Sequence, residues 1–464
     1  MSNNLFDEFD TVSAAQWKQK IQFDLKGADY NKTLLTHTRE GITINPFYHK
    51  DTYKHLDVPQ GPDAFKNCQS FYAGNERLAG RLAKDAVKRG AESIKFVADR
   101  PFDYNILFKG LLNKKIPFFF QLNFLKADFI KELKDFLKGN EVYFNIDLIG
   151  NLAKTGNWFF NDQKDHQILE ELLKDTVETH GILGVDVSLY QNTGAHAVQQ
   201  VAYALAHASE YLNYLNDLVE QGSLSKTDLG RSVKQMLFTF SVGNNYFFEI
   251  AKLRAFRYLW NLLLKEYQLS YSAKIYAQPS LRNKTLFDAH VNMLRTTSES
   301  MSAVFGGADF IGNLSYDAFF KKKNEFGERI SRNQLIILKE ESNLKNTDFT
   351  KGAYYIEELT YEIALRSLEI FKEIEKGGGF VKQLFKGVIQ RKIRESADKE
   401  QKRFDAGDLV LLGSNKYPDP DERISKDDLE LYPFVRKRFS KTLIEYLIPV
   451  RLSEKLEQSK LSQR

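Results

Sequence analysis

Short apolar runs alternating with helical patterns constrain this chain more than any other feature of it. The runs are Ser93–Asp99, Ile116–Asn123, Val142–Leu148, Leu183–Tyr190, Gln235–Val242, Lys274–Ser280, Ala308–Leu314 and Leu409–Leu412. Each is apolar and of strand length. Helical periodicity precedes the first run (Asn75–Arg89). It recurs between later ones at Asp128–Lys138, Asp165–Thr179, Ala195–Glu220 and Tyr246–Lys265, and then at Ile330–Glu341 and Tyr361–Lys376. Eight strands separated by helices are what a TIM-type (β/α) eight-stranded barrel of the α/β class requires. A doubly wound open sheet is the alternative, but it usually carries a glycine-rich phosphate turn after its first strand. Here the first run ends Ala98-Asp99-Arg100-Pro101, so the barrel is the better reading.

The pattern divides the 464 residues into an N-terminal arm for subunit contact (1–62), a barrel (63–420) and a C-terminal helical tail (421–464). The arm opens with a helical stretch, Ala14–Leu25, in which Trp17, Ile21 and Leu25 share one face. Lys26-Gly27-Ala28-Asp29-Tyr30 breaks it, and a turn-rich segment follows to Pro59 and Pro62. Such an arm has little to bury alone and is expected to lie on the barrel or on a partner. The tail is expected to hold one helix, Tyr432–Ile448, before a polar end.

Charge and cysteine content narrow the function. With 66 basic against 61 acidic residues, the net charge of +5 is too weak and too dispersed for a nucleic-acid footprint. A single cysteine, Cys68, excludes an internal disulfide and a cysteine-based metal cluster, which suits a reducing cytoplasm. Met1–Asp10 is acidic and lacks an apolar leader core. No apolar run approaches the ~20 residues of a membrane helix. The expected localisation is cytoplasmic, with neither nucleic acid nor membrane as a partner.

Several segments, in order along the chain, resemble the barrel region of the methylmalonyl-CoA mutase family. They are Asp24-Leu-Lys-Gly-Ala-Asp-Tyr30, Glu40-Gly-Ile42, Pro46-Phe-Tyr48 and Tyr72-Ala-Gly74. Further on come Phe247-Phe-Glu-Ile-Ala-Lys-Leu-Arg-Ala255 with Leu259-Trp260, Ile330-Ser-Arg-Asn333 with Glu340-Glu-Ser342, Gly352-Ala-Tyr-Tyr-Ile-Glu-Glu-Leu-Thr360 and Ile374-Glu-Lys-Gly-Gly378. The resemblance covers residues 15 to 420 or so. It implies a radical rearrangement interconverting methylmalonyl-CoA and succinyl-CoA, with adenosylcobalamin as radical source.

The same resemblance marks departures. Active members carry a Tyr-His pair at the end of the fourth run, whose histidine stabilises charge on the substrate thioester oxygen. Here Tyr190 stands with Gln191 in the histidine's place. In the sixth run, Ile275-Tyr-Ala-Gln-Pro-Ser280, Tyr276 replaces a second family histidine. The expected carboxylate-gripping arginine has no counterpart around Asn157–Asn161 and His166. Asp288-Ala-His290 superficially matches the cobalt-ligating motif but lacks its glycine. The chain is expected to end too soon after its last strand for a C-terminal cobalamin-binding domain. Glu249, Lys252 and Arg254 fit either catalytic or salt-bridged packing roles. Tyr72 and Tyr190 match substrate-proximal tyrosines and are possible vestigial substrate-site residues. No catalytic residue and no metal ligand is assigned.

The barrel interior supplies a separate expectation. A mutase of this family threads the CoA arm along the barrel axis, which needs a lumen of small side chains. In Pro117-Phe-Phe-Phe-Gln121, strand alternation sets Phe118 and Phe120 against Phe119 and Gln121. Whichever face points inward, a phenylalanine enters the lumen. The next run sets Phe144 and Ile146 against Tyr143 and Asn145. A plugged lumen is expected.

The resemblance thus implies the small (beta), structural and non-catalytic subunit of the mutase. On that resemblance it is expected to bind no cofactor alone and to form a heterodimer with a large (alpha) catalytic subunit that binds adenosylcobalamin. Two alternatives stand beside it: a residual acyl-CoA or allosteric ligand-binding barrel, and an independent barrel enzyme of unrelated chemistry. The last would draw on Asp99, Asp147, Asp186 and Gln278 at strand ends, where no constellation of base, nucleophile and orienting group is legible.

Overall fold

The computed structural model describes residues 9–174, 177–344, 348–436 and 440–462. Its centre is a closed barrel of eight parallel strands: β1 (Lys66–Tyr72), β2 (Ser93–Ala98), β3 (Phe118–Leu122), β4 (Val142–Ile146), β5 (His180–Asp186), β6 (Leu237–Val242), β7 (Lys274–Pro279) and β8 (Phe310–Gly312). β8 closes the ring against β1, with Phe310 opposite Lys66 and Gly312 opposite Cys68. The principal helices are α1 (Ala14–Asp24), α2 (Glu76–Lys88), α3 (Ala127–Phe136), α4 (Leu148–Thr155), α5 (Asp162–Leu173), α6 (Ser188–Asn192), α7 (Ala197–Glu220), α8 (Tyr246–Glu266), α9 (Val291–Phe305), α10 (Glu325–Ile336), α11 (Tyr354–Lys376), α12 (Val388–Asp405) and α13 (Glu454–Ser462). The eight-stranded α/β barrel read from periodicity is thus the fold.

Two strand assignments need correction. Lys66–Tyr72 is a strand although its sequence is polar, because its neighbours satisfy its polar side chains. Asn67 donates to Gly90 O and accepts from Glu92 N, while Gln69 donates to Glu328 and accepts from Arg332. An alternation test for apolar residues cannot see such a strand. Leu409–Leu412, conversely, makes only a bridge to Lys416. Leu411 packs with Phe404 and Leu452, while Val410 and Leu412 are exposed. Every barrel strand is therefore one place later in the ring than its run is in the sequence. β5 also ends earlier than expected, at Asp186, and Tyr190 and Gln191 lie on α6.

Outward strand residues build the core against the helices. Phe96, Phe118 and Phe120 surround Phe108, with ring centroids 5.0–6.2 Å from it. Phe238 packs on Phe256 and Trp260 of α8 at 4.6 and 4.8 Å. Each such ring contributes roughly 1.5–3 kcal/mol by leaving water. α8 is tied to α11 by Arg254, which donates to Glu357 at 2.7 Å and to Thr360. It is tied to the β8 approach by Arg257, which donates to Asp309.

The arm helix α1 forms as expected, with Ser13 and Gln16 making a reciprocal N-terminal cap. None of its residues is buried, and Trp17 and Phe23 are 49% and 78% exposed. Further along, the arm is fastened to the barrel by Arg39, 2.6 Å from Glu400 of α12.

The expected tail helix Tyr432–Ile448 is absent from its described residues; residues 437–439 lie outside them. The segment instead lies along the barrel: Leu443 N and Ile444 N both donate to Gly156 O, and Leu447 N donates to Ala153 O. The tail helix is α13, where buried Glu457 pairs with Arg451 at 2.6 Å and accepts from Leu286 N. After β8 the described residues contribute helices and no further sheet, so no C-terminal cobalamin-binding domain is evident.

Candidate functional site

Along the barrel axis the inward residues form tiers. Near the N-terminal end of the strands, Tyr143 donates to Glu141 at 2.8 Å, and Lys66 reaches the same carboxylate at 3.3 Å. The next tier is an aromatic plug contributed by different strands: Phe119, Tyr143, Tyr276 and Phe310, with Cys68 and Leu237. Phe119 stacks on Tyr143 (5.0 Å, 7°) and meets Phe310 edge-on at 4.8 Å and Tyr276 at 5.4 Å. The expected plug is present, and one phenylalanine of the run supplies it: Phe119 points inward, whereas Phe118 and Phe120 point to the helices.

Above the plug, toward the C-terminal ends of the strands, the lining turns polar. Two cavities of about 220 and 310 Å³ share Lys95, Gln121 and Gln278 as walls. Asp186 and Thr239 line the larger and Ser70 the smaller. Burial among these groups pushes the Lys95 ammonium below its ordinary range, with Asp186 opposing. Burial pushes the Cys68 thiol up to about 11 and the Tyr276 hydroxyl well above its ordinary value.

The residues singled out from the sequence do not share one site. Tyr72 sits at the mouth, 54% exposed, its hydroxyl donating to Asp99 at 2.9 Å. The Asp99 carboxyl is held low by hydrogen bonds from Asn123 and Tyr72. Tyr276 belongs to the plug and floors the smaller cavity. Tyr190 is fully buried behind β5, where its hydroxyl meets His207 Nδ1 at 2.8 Å. His207 Nε2 meets Asp147 at 2.8 Å, and Tyr211 donates to the same carboxylate. With Asp147 as acceptor, His207 carries its proton on Nε2 and accepts from Tyr190. Asp147 also accepts from Gly150 N and Asp186 N. It organises the β4–β5 strand ends and has little capacity left for proton transfer.

Gln191 joins another buried cluster. Its amide donates to Glu249 at 2.9 Å and its carbonyl accepts from Lys252 at 3.0 Å. Lys252 also donates to Gln200 and Ser241 O and is ion-paired with Glu249. Glu249, Lys252 and Arg254 are therefore interior ion-paired residues joining α8 to its neighbours. His290 lies exposed in the turn before α9, stacked on Tyr316 at 4.8 Å, and among the described residues it shares no hydrogen bond with Asp288. That turn does not fit a cobalt ligand oriented by an aspartate. No described group of three or more His, Cys, Asp or Glu is placed to hold a metal ion. Sequence reasoning missed Lys95 and His207. Lys95 had a signal, a charge in the middle of the otherwise apolar run Ile94-Lys95-Phe96-Val97. His207 lies in an Ala-rich helix and had none.

Residues 140–457, from just before β4 to α13, match the family described as methylmalonyl-CoA mutase. The chain belongs to the methylmalonyl-CoA mutase family. It is 32% identical to the methylmalonyl-CoA mutase small subunit of Porphyromonas gingivalis, over 89% of this chain and 71% of that one. It is 30% identical to the methylmalonyl-CoA mutase of Cereibacter sphaeroides over 89% of this chain, and 27% identical to the human mitochondrial enzyme over 87%. It spans 64% and 60% of those two proteins' lengths. In this methylmalonyl-CoA mutase barrel, the two residues standing where the resemblance puts histidines have different fates: Tyr276 fills the axis, and Gln191 is held by Glu249 and Lys252.

Proposed function

We propose that this chain is the small, structural and non-catalytic subunit of an adenosylcobalamin-dependent methylmalonyl-CoA mutase, which interconverts methylmalonyl-CoA and succinyl-CoA in the cytoplasm. Its partner is the large catalytic subunit, in a heterodimer, and the cofactor is bound by that partner. The observation that carries this reading is the plug of Phe119, Tyr143, Tyr276 and Phe310. A substrate whose CoA arm runs along the barrel axis needs that space. Closing it contributes packing of the ordinary kind for this fold and removes the route the chemistry requires.

Two further observations support a subunit role. α1 holds Trp17 and Phe23 toward solvent, with Phe9 and Val12 exposed just before it, and an apolar arm of that kind is suited to burial on a partner. The relative from Porphyromonas gingivalis is itself a small subunit. Adenosylcobalamin, when bound by the partner, supplies the radical by homolysis of its cobalt–carbon bond. This chain's part is to present a stable barrel against which the active one is held.

The test is a mutase assay with adenosylcobalamin and methylmalonyl-CoA on this chain alone, and then with the large subunit from the same source, alongside gel filtration. Turnover only in the mixture, with co-elution at heterodimer mass, is expected. Turnover by this chain alone would overturn the reading.

A further inference from the structure

Buried lysines in this protein have partners. Lys134 donates to Lys174 O. Lys252 has Glu249, Gln191, Gln200 and Ser241 O. Lys284 bonds both oxygens of Glu299 and Asn283. Lys95 differs. It is 9% exposed and faces the lumen from β2, yet among the described residues its ammonium has no hydrogen bond and no carboxylate within ion-pair distance. The face of Tyr276 lies 5.1 Å from Nζ to the ring centroid. Asp186 and Cys68 act on it through space, against Lys154 and Lys323, and one Asp186 carboxylate oxygen is engaged by Ser188. A buried charge without a partner is costly, and native structures rarely retain one without a use.

The surroundings show what the use is. The three residues that wall both cavities are Lys95, Gln121 and Gln278. The side-chain amides of Gln121 and Gln278, like Lys95, make no hydrogen bond within the described chain. One ammonium and two free amides thus converge at a place closed below by Tyr276 and its aromatic neighbours and open above at the barrel mouth. Lys323 stands at the mouth of the smaller cavity and Lys154 at that of the larger. An ammonium flanked by N–H donors is a receptor for a carboxylate. The plug limits the ligand's length to the upper half of the barrel.

We propose that the C-terminal half of the lumen binds a small free carboxylate, with Lys95 as its counter-ion and Gln121 and Gln278 as its hydrogen-bond partners. The site belongs to this chain's own barrel and requires neither a CoA arm nor cobalamin. It therefore goes beyond the subunit reading and stands or falls separately from it.

The test uses the full chain and follows its melting temperature and binding heat with sodium succinate and, separately, sodium propionate as probes. Inorganic phosphate and potassium chloride at matched ionic strength are the controls. A ligand held by the folded state raises Tm progressively with its concentration. Expected are a rise with at least one carboxylate beyond the chloride control, loss of that rise in Lys95→Met, and affinity weakened about tenfold or more in Gln278→Leu. No carboxylate effect beyond chloride, an equal effect of phosphate, or a Lys95→Met variant that responds like the wild type overturns the proposal. Should Lys95→Met fail to fold, amine labelling of the wild-type chain read by mass spectrometry decides. Protection of Lys95 by the carboxylate supports the site, and unchanged labelling removes it.

Discussion

The hydroxyl of Tyr276 fills the space in which a side chain on Gly312 would stand: a Cβ there would collide with the tyrosine oxygen. The two lie on adjacent strands, β7 and β8, and both face the lumen. Gly181 of β5 likewise leaves room for Tyr143, whose ring carbon lies 2.8 Å from the Cβ position, and for the still closer backbone carbonyl of Gln235. The aromatic plug is therefore a fitted set of large and small residues, and barrel interiors tolerate misfit poorly.

Gly312→Ala is expected to destabilise the chain by about 1–3 kcal/mol through overpacking. Tyr276→Phe removes the nearest clashing atom, so the double variant should cost less than the sum of the singles. Urea denaturation of the four proteins measures this coupling, and additivity within about 0.5 kcal/mol would show that the two residues do not share that space.

The Gln191 cluster makes a ranked prediction. Glu249→Gln leaves the Lys252 ammonium buried with no carboxylate and should cost about 3–5 kcal/mol. Gln191→Leu removes one hydrogen bond to each member of the ion pair, while Lys252 keeps Glu249, Gln200 and Ser241 O, and should cost about 1–3 kcal/mol. Denaturant midpoints at constant slope give the order, and a reversal would mean that Glu249 does not hold that charge.

Stability should fall in mild acid. His180 is buried against Phe144 with Nδ1 unpaired, and burial lowers its pKa to about 4, with Lys134 adding to the effect while the Leu137 carbonyl and Asp135 oppose it. His196, also lowered by burial, lies at about 3. An unfolded histidine takes up its proton near pH 6.5. The stability from keeping these rings neutral is thus present above that pH and is lost as pH falls from about 6.5 toward the folded values. Urea midpoints measured across that window should drop, and His180→Leu should flatten the slope. An unchanged slope in that variant rules His180 out as a contributor.

Cys68 reports on the plug. Its thiol is 5% exposed and raised by burial to about 11, so little thiolate is available for attack. A thiol-reactive disulfide reagent should modify it slowly in the native chain, at a rate that rises with denaturant, and rapidly once the chain unfolds. Immediate native labelling would show that small molecules reach the plug from solvent.

Much of the barrel was legible because its signal is local. Runs such as Ser93–Asp99 and Lys274–Ser280 carry their own apolar content. β1 was hidden because Asn67 and Gln69 find partners on Gly90, Glu92, Glu328 and Arg332, contacts that no sequence window contains. Leu409–Leu412 misled because apolar side chains that pack one edge of a turn read like a strand. At the candidate site, the plug was foreseeable and the polar chamber above it was not. The chamber depends on which residues of separate strands meet at one height along the axis.

The sequence by itself determined the fold class and the presence of a phenylalanine in the lumen. Alternation along Phe118-Phe119-Phe120-Gln121 guarantees one for either orientation of the strand. Tertiary structure decided which one: the closed barrel holds Phe119 inward and gives Phe118 and Phe120 to the helices. It also decided the surroundings of the buried lysine on β2. Lys252 and Lys95 both lie in apolar stretches of sequence, yet the first meets Glu249 one helical turn away and the second faces a chamber walled by other strands. Pairing across a barrel depends on registers that form only when the sheet closes, and those registers are not written in any one segment of the chain.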